Sequence, residues 1–316
     1  MKSLRASKAE SQKEILHLQE EVQGLTAPVD RYVYQAHQNE LDMATSCASF
    51  LALSSNSTNN RVTRVTQSNN AGNPFDMHLY SNNDIVSNEI RNHGGWERKS
   101  VLEFNKYFTD YSKKNNIPLS DLTFVDIGAN VGWFALSMAA LGVNVLAFEP
   151  MEENINLLRQ SICLPQNIQS GVSKRITLFG HGLGSKEETC IIYSHNINVG
   201  DGHVKCVEKE SDLQIPHDYS MRGRIPVRRL DDVISVAEQG MKVVVVKMDV
   251  EGYEGNVLEG GTKFFLESDI SIISTEFVPE WIKEKDGDPE EFKRLFSSAG
   301  YGLDQQGGET LTITKN

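Results

Sequence analysis

Two neighbouring apolar runs constrain this chain most. Phe124-Val125-Asp126-Ile127 leads into Gly128-Ala129-Asn130-Val131-Gly132, and Val143-Asn144-Val145-Leu146-Ala147-Phe148 leads into Glu149-Pro150. A buried strand that breaks at glycines and restarts as a helix opens a βαβ unit, and the second run supplies the next parallel strand. Small residues in the turn let a ligand approach the backbone. An acid at the tip of the following strand can accept hydrogen bonds from both hydroxyls of a ribose. The pair therefore predicts a nucleoside site on a parallel sheet.

The rest of the chain extends that sheet. Apolar runs of strand length recur at Phe124–Ile127, Val143–Phe148, Ile176–Phe179, Val243–Met248 and Ile270–Thr275. Trp133–Ala140, Asn154–Ile162 and Pro289–Ala299 read as helices. In Trp96–Tyr111, Val101, Phe104, Phe108 and Tyr111 fall at helical spacing. Met77–Tyr80 and Ile85–Val86 read as short extended pieces. Gly302–Gln305 and Thr310–Thr314 flank Gly307-Gly308 and predict an antiparallel hairpin at the end of the sheet. The expected fold is α/β: a Rossmann-like, mostly parallel sheet with a C-terminal antiparallel hairpin and helices on both faces.

A chain of 316 residues has room for one large domain and an extension. Residues 53–74 are rich in Ser, Asn and Thr and read as a linker, which places the boundary near residue 75. Residues 1–74 are then an N-terminal extension and residues 75–316 the main domain. Ile15, Leu18, Val22 and Leu25 stand at a/d spacing, so residues 1–26 predict a short amphipathic helix, a means of oligomerisation or tethering.

A formal charge of −12 argues against a nucleic-acid partner, because such binding depends on Lys and Arg neutralising phosphates. Arg222, Arg224, Arg228 and Arg229 are the densest basic group and read as a solvated strand edge. Cys47, Cys163, Cys190 and Cys206 form no CxxC pair. Buried free thiols are expected, although Cys190 and Cys206 are placed to meet across a hairpin. No run of about 18 apolar residues exists, so no transmembrane segment is expected. Lys2, Arg5 and Lys8 are not followed by an apolar stretch, so no signal peptide is expected. A complete chain would then be cytoplasmic. A missing N-terminal anchor would instead place it in the secretory pathway or Golgi, where the sequon Asn56-Ser57-Thr58 would matter.

The glycine turn discriminates among cofactors. It lacks the early second glycine of GxGxxG and the Gly-Lys-Ser/Thr of a phosphate-binding loop. A turn that holds no phosphate but meets a ribose-binding acid suits S-adenosylmethionine, with its amino-acid tail over the glycines and its ribose on Glu149. An NAD(P)-dependent reductase and a non-catalytic nucleoside-binding protein are the competing readings. A second signature follows the strand Val243–Val246, in Lys247-Met248-Asp249-Val250-Glu251-Gly252-Tyr253-Glu254. Side chains alternate on a strand, so Lys247, Asp249 and Glu251 share one direction, beyond the carboxyl end of the sheet where ligands bind. Asp249 is the first choice for a base that removes a hydroxyl proton. Asp249 and Glu251 holding a divalent metal is a second reading, and acids capping the next helix a third. His203, in the loop region after the third strand, is a candidate to assist in proton transfer or acceptor binding. Glu276 ends the fifth strand and is placed to point into the acceptor site.

These motifs together resemble the FkbM-type S-adenosylmethionine-dependent methyltransferases. The matching pieces are Gly95-Trp96-Glu97, Val125–Gly132, Ala147–Pro150, Asn198-Val199-Gly200, Leu230–Val233, Lys247–Glu254 and Val257–Gly261, in family order from about residue 75 to the end. The resemblance implies a class I methyltransferase fold and, for characterised members, O-methylation of sugar or polyketide-type hydroxyls. It assigns Asp126, Gly128, Asn130 and Gly132 to the cofactor loop and Glu149 to the ribose, and it sets Asp249 and Glu251 near the methyl group. Gly180-His181-Gly182 departs from the family pattern at the loop that flanks the adenine, which makes His181 a candidate contact to the ring.

Overall fold

The computed structural model describes residues 47, 48, 50, 60–65, 72–81, 83–207, 214–234, 241–305 and 308–315. The strands are β1 (Asn60–Val65), β2 (Phe75–Tyr80), β3 (Leu122–Ile127), β4 (Asn144–Phe148), β5 (Ile176–Phe179), β6 (Gly182–Leu183) and β7 (Glu188–His195). They continue with β8 (Asn198–Lys205), β9 (Tyr219–Arg228), β10 (Lys242–Met248), β11 (Ile272–Glu276), β12 (Tyr301–Asp304) and β13 (Thr310–Lys315). The central sheet runs β12-β13-β11-β10-β3-β4-β5. β3, β4, β5, β10 and β11 pair in parallel, and β13 and β12 close one edge antiparallel.

Both faces of the sheet are covered because its strands are apolar on both sides. Phe124, Val145 and Ala147 join one core, with helices Arg98–Asn115, Trp133–Leu141 and Glu152–Ile162. Val125, Leu146, Phe148, Val246 and Met248 join the other, with helices Glu254–Gly260, Thr262–Glu267 and Pro289–Ser298. Strand order reverses between β3 and β10, so the cleft beyond their carboxyl ends is the topological switch point.

A second sheet, β6-β9-β7-β8, is inserted between β5 and β10. The sequence patterns did not predict it. The arginine-bearing segment is the inner strand β9 of this sheet rather than a sheet edge, and Arg222 Nε donates to Ser194 Oγ at 2.8 Å. Three further expectations are corrected. Ile85–Val86 is not extended; it opens a helix, Ile85–His93, whose N-cap Asp84 accepts the Ser87 N–H. The stretch expected to be all linker contains β1, which pairs antiparallel with β2 across residue 75. The cysteines are not free thiols: Cys47 pairs with Cys163 and Cys190 with Cys206. Proximity created by the fold decides such pairing, and the β7–β8 register brings Cys190 and Cys206 side by side. The amphipathic helix expected over residues 1–26 and the sequon lie outside the described residues. Among the described residues no helix is long and apolar enough to cross a membrane.

Candidate active site

β3 ends at Ile127, and the next residues turn back under the tip of β4. Gly128 and Ala129 both donate to the Phe148 carbonyl, at 3.0 and 2.9 Å. Gly128 has φ +81, and a Cβ there would stand 1.8 Å from the Asp249 carbonyl oxygen. Gly132 has φ +89, and its Cβ would stand 2.3 Å from Leu158 Cδ1. Both positions exclude a side chain, because the turn packs against the β10 exit on one side and the helix Glu152–Ile162 on the other. Asn130 also sits in the left-handed region, at φ 52, a conformation asparagine tolerates. Its Oδ1 accepts the Val131 N–H at 2.7 Å.

Glu149 is buried beside this turn. Its carboxylate accepts the N–H groups of Asn130 and Met151, each at 2.8 Å. Burial pushes Glu149 up to about 7 against those bonds. Asp126 is fully buried, and neither oxygen makes a hydrogen bond of normal geometry. Burial raises it to about 7 despite the Lys247 ammonium 3.9 Å away. Lys247 ties the site together: its Nζ donates to the Gly128 carbonyl at 3.0 Å and pairs with Asp249 at 3.2 Å. Burial works against its charge, but Asp249, Asp126 and Glu97 outweigh burial and hold the ammonium above its usual range.

A cavity of about 230 Å³ opens here, with Asn130, Glu149, Lys247, Asp249, Glu251 and Asp201 on its wall. A smaller one of about 30 Å³ adjoins it past Gly128 and Pro150, against Phe148 and His181. Phe148 and Phe179 stack there at 4.5 Å, with His181 edge-on to both. The His181 Nδ1–H donates to the Gly182 carbonyl at 3.0 Å.

Acidic groups converge on the outer wall from three elements. One oxygen each from Asp249, Glu251 and Glu276 lie within 4.8 Å of one another, as do ligand atoms of Asp201, His203 and Glu251. Glu251 has φ 54, in the left-handed region rare for such a residue. Burial, then the neighbouring Asp201, Glu276 and Asp249, push its carboxyl up to about 11. Burial, then Asp249 and Glu254, raise Glu276 to about 9. Burial and like-charge crowding thus favour the protonated form of both. His203 is lowered by burial, with Asp201 opposing and Lys285 reinforcing, which favours the neutral imidazole. Glu254 is buried and accepts the Val250 N–H at 3.0 Å, holding the loop between Met248 and the next helix.

The Asn198-Val199-Gly200 motif sets β8 against the cleft. Asn198 Oδ1 accepts the Ile85 N–H at 3.0 Å, and its Nδ2 donates to Asp201 at 3.1 Å. The Gly200 N–H donates to Asp84 at 3.1 Å, and its carbonyl accepts from Asn154 at 2.8 Å. Asp201, Asp84 and Asn154 escaped sequence reasoning; only the position of Asp201 directly after the motif could have signalled it. Of the residues expected at the site, Gly128, Asn130, Glu149, Asp249 and Glu251 line the larger cavity, whereas Asp126, Gly132, His203 and His181 are not on its wall. Asp126, Gly128, Asn130, Gly132 and Glu149 surround the turn, and Asp249, Glu251 and His203 stand across the cleft. His181 lies in the adjoining small cavity.

These residues fit S-adenosylmethionine. The turn has no side chain over Gly128, and among the described residues the donors include no phosphate-holding cation set and Lys247 is the single Lys or Arg on the wall of a cavity also lined by Glu149, Asp201, Asp249 and Glu251. Such a wall suits a ligand that carries positive charge. No curated protein is matched by the sequence. Among solved structures, monomeric WbdD aligns with a TM-score of 0.40 at 13% identity, over 69% of this chain and 41% of its own. The chain therefore spans about two fifths of that protein. Magnesium protoporphyrin IX methyltransferase (ChlM) from Synechocystis PCC 6803, solved with bound SAM, aligns at 0.36 and 11% identity over 73% of this chain and 84% of its own. A family model described as the methyltransferase FkbM domain matches residues 126–303, more than half of the sequence, and the chain accordingly belongs to the FkbM family of S-adenosylmethionine-dependent methyltransferases.

Proposed function

We propose that this methyltransferase acts on oxygen, methylating a hydroxyl of a sugar or small metabolite. The observation that carries the reading is the carboxyl-lined cavity at the switch point, with Glu149 on one side of the glycine turn and Asp249 on the other. Bound S-adenosylmethionine supplies an electrophilic methyl group, which leaves the protein to orient the acceptor and take its proton. Asp126, Gly128, Asn130 and Gly132 shape the cofactor turn, Glu149 takes the ribose hydroxyls, and His181 flanks the adenine. Asp249 is the base for the acceptor hydroxyl. Lys247, 3.2 Å away, fixes its carboxylate. His203 is a second group to take the proton, and the Glu251 carboxyl, whose protonated form burial and its acidic neighbours favour, is a donor to the acceptor's other oxygens. Residues 1–74 serve as an extension for oligomerisation or tethering, tied to the domain through Cys47–Cys163 and β1. Pairing of all four cysteines favours folding in an oxidising compartment such as the secretory pathway over the cytoplasm.

The test is titration with S-adenosylhomocysteine together with transfer from labelled cofactor. Glu149→Ala weakens cofactor binding by at least about tenfold, the loss expected when a buried charge-assisted hydrogen bond is removed. Asp249→Asn keeps cofactor affinity and lowers kcat by about 10²-fold or more. Binding of NADH in place of S-adenosylhomocysteine would return the reductase reading, and unchanged kcat in Asp249→Asn would remove Asp249 as base. A metal-assisted version is favoured by the two ligand-spaced groups that share Glu251. It predicts loss of activity on chelation and recovery with a divalent ion, whereas direct base catalysis by Asp249 survives chelation.

A further inference from the structure

His203 belongs to a row of rings on one face of the inserted sheet. The register sets Tyr193 opposite His203 and His195 opposite Tyr219. Tyr193 and His203 lie nearly parallel, with centroids 5.8 Å apart and planes 23° apart. Tyr219 stands 5.8 Å from Tyr193, 5.7 Å from His203 and 5.1 Å from His195. The alternate residues Cys190, Ile192 and Val204 face the other way and pack on Met151 and Tyr253. The sheet is therefore seated on the domain by its aliphatic face, while the half-buried rings of its other face meet no second core among the described residues.

The surroundings of those rings are specific. At the cleft edge they meet acids: His203 Nε2 lies 3.9 Å from Asp201, and Glu251 closes the same group, with Asp249 and Glu276 beyond. On another side, Lys285 donates to the Val204 carbonyl at 2.8 Å with its ammonium 5.8 Å from the Tyr193 centroid. A matching ligand needs a flat apolar face for the rings and several hydroxyl donors along one rim for the carboxyls. A simple phenol has the face but too few donors. A cationic ligand would suit rings and acids, but Lys285 already supplies positive charge at the ring face.

We propose that Tyr193, His203 and Tyr219 form an acceptor subsite that takes the C–H face of a pyranose ring, turning one of its hydroxyls toward Asp249. This rests on the O-methylation reading above and names the shape of its acceptor. The tyrosines act through their rings, so they set acceptor affinity and leave the transfer step itself to Asp249.

The experiment is saturation-transfer NMR on the full chain with a panel of methyl hexopyranosides, and with catechol and sorbitol as the aromatic and open-chain comparisons. It is run with and without S-adenosylhomocysteine, alongside labelled methyl transfer. Expected are ring C–H contacts to pyranosides, weakened about tenfold in Tyr193→Ala and Tyr219→Ala and retained in Tyr193→Phe and Tyr219→Phe. Acceptor KM should rise in the Ala variants while kcat changes little. Retained S-adenosylhomocysteine affinity certifies that the variants are folded. Pyranosides that make no contact, contacts unchanged in both Ala variants, or preference for catechol or sorbitol each overturn the subsite. If wild type binds S-adenosylhomocysteine but no pyranoside, only the subsite falls. If pyranosides make contact but labelled methyl never reaches them, the rings bind a pyranose face but not as an acceptor subsite, and the O-methylation reading falls with it.

Discussion

At the residue scale, the cofactor turn depends on a place where no side chain fits. Gly128 is held at φ +81 with the Asp249 carbonyl where its Cβ would be. Alanine there must adopt a disfavoured backbone region and also separate the ends of β3 and β10. Those two penalties together predict a loss of about 2–4 kcal/mol in urea unfolding. Because the same contact sets the distance between the turn and Asp249, S-adenosylhomocysteine affinity should fall with stability. Gly128→Ala unfolding at the wild-type midpoint would mean that the β10 exit yields freely, and the rigid-turn account would fail. The turn and Glu149 were legible in the sequence because a local spacing encodes them. The direction of Lys247 was legible too, but its role was not, because its position between Asp126, Asp249 and the Gly128 carbonyl exists only once separate segments meet.

At the element scale, legibility followed burial. β3, β4, β5, β10 and β11 are covered on both faces, so each carries apolar residues at consecutive positions, which face opposite sides. β8 is covered on one face only, and its residues Asn198-Val199-Gly200-Asp201-Gly202-His203 look like a loop. Helix Ile85–His93 was missed because two apolar residues were weighed without the capping Asp84 before them. The inserted sheet, hidden in this way, carries Asp201 and His203, and the Cys190–Cys206 bridge joins the two strands beneath them. Cys206 Sγ also lies 3.0 Å from the Tyr253 hydroxyl, on the loop that follows Glu251. Replacing both cysteines with serine should cost about 2–3 kcal/mol, the value for a bridge that closes so short a loop. The sharper expectation is selectivity. S-adenosylhomocysteine affinity stays near wild type, because the cofactor turn belongs to the central sheet, while acceptor KM rises. Equal losses in both would place the insert in the cofactor site instead.

At the scale of the whole molecule, acidity is built into the interior as well as the surface. Glu149, Asp126 and Glu254 are all buried, and burial raises each to about 7 from ordinary values of 4.5, 3.8 and 4.5. The folded chain therefore holds these protons more tightly than the unfolded one. Through these three, folding takes up protons between about pH 4 and 7, so the stability of the ligand-free protein falls as pH rises through that window, and their full cost is present above 7. Each tenfold difference in proton affinity corresponds to about 1.4 kcal/mol, which makes the combined decline large enough to measure. Asp269 works in the opposite sense: Lys315 and Lys242 hold it at about 2, so its contribution is lost only as pH falls from 3.8 through 2, outside the window. The formal charge of −12 adds repulsion in the same direction as the buried acids. Calorimetric Tm of the ligand-free chain should drop between pH 5 and 8, and Glu149→Gln should shallow the drop. S-adenosylmethionine should narrow it as well, because its sulfonium brings positive charge to carboxylates that ionise as pH rises; neutral S-adenosylhomocysteine should narrow it less. A Tm that climbs from pH 5 to 8 would mean that these carboxylates are solvated or paired in the folded state, and the account of buried acids that hold their protons to near neutrality would have to be abandoned.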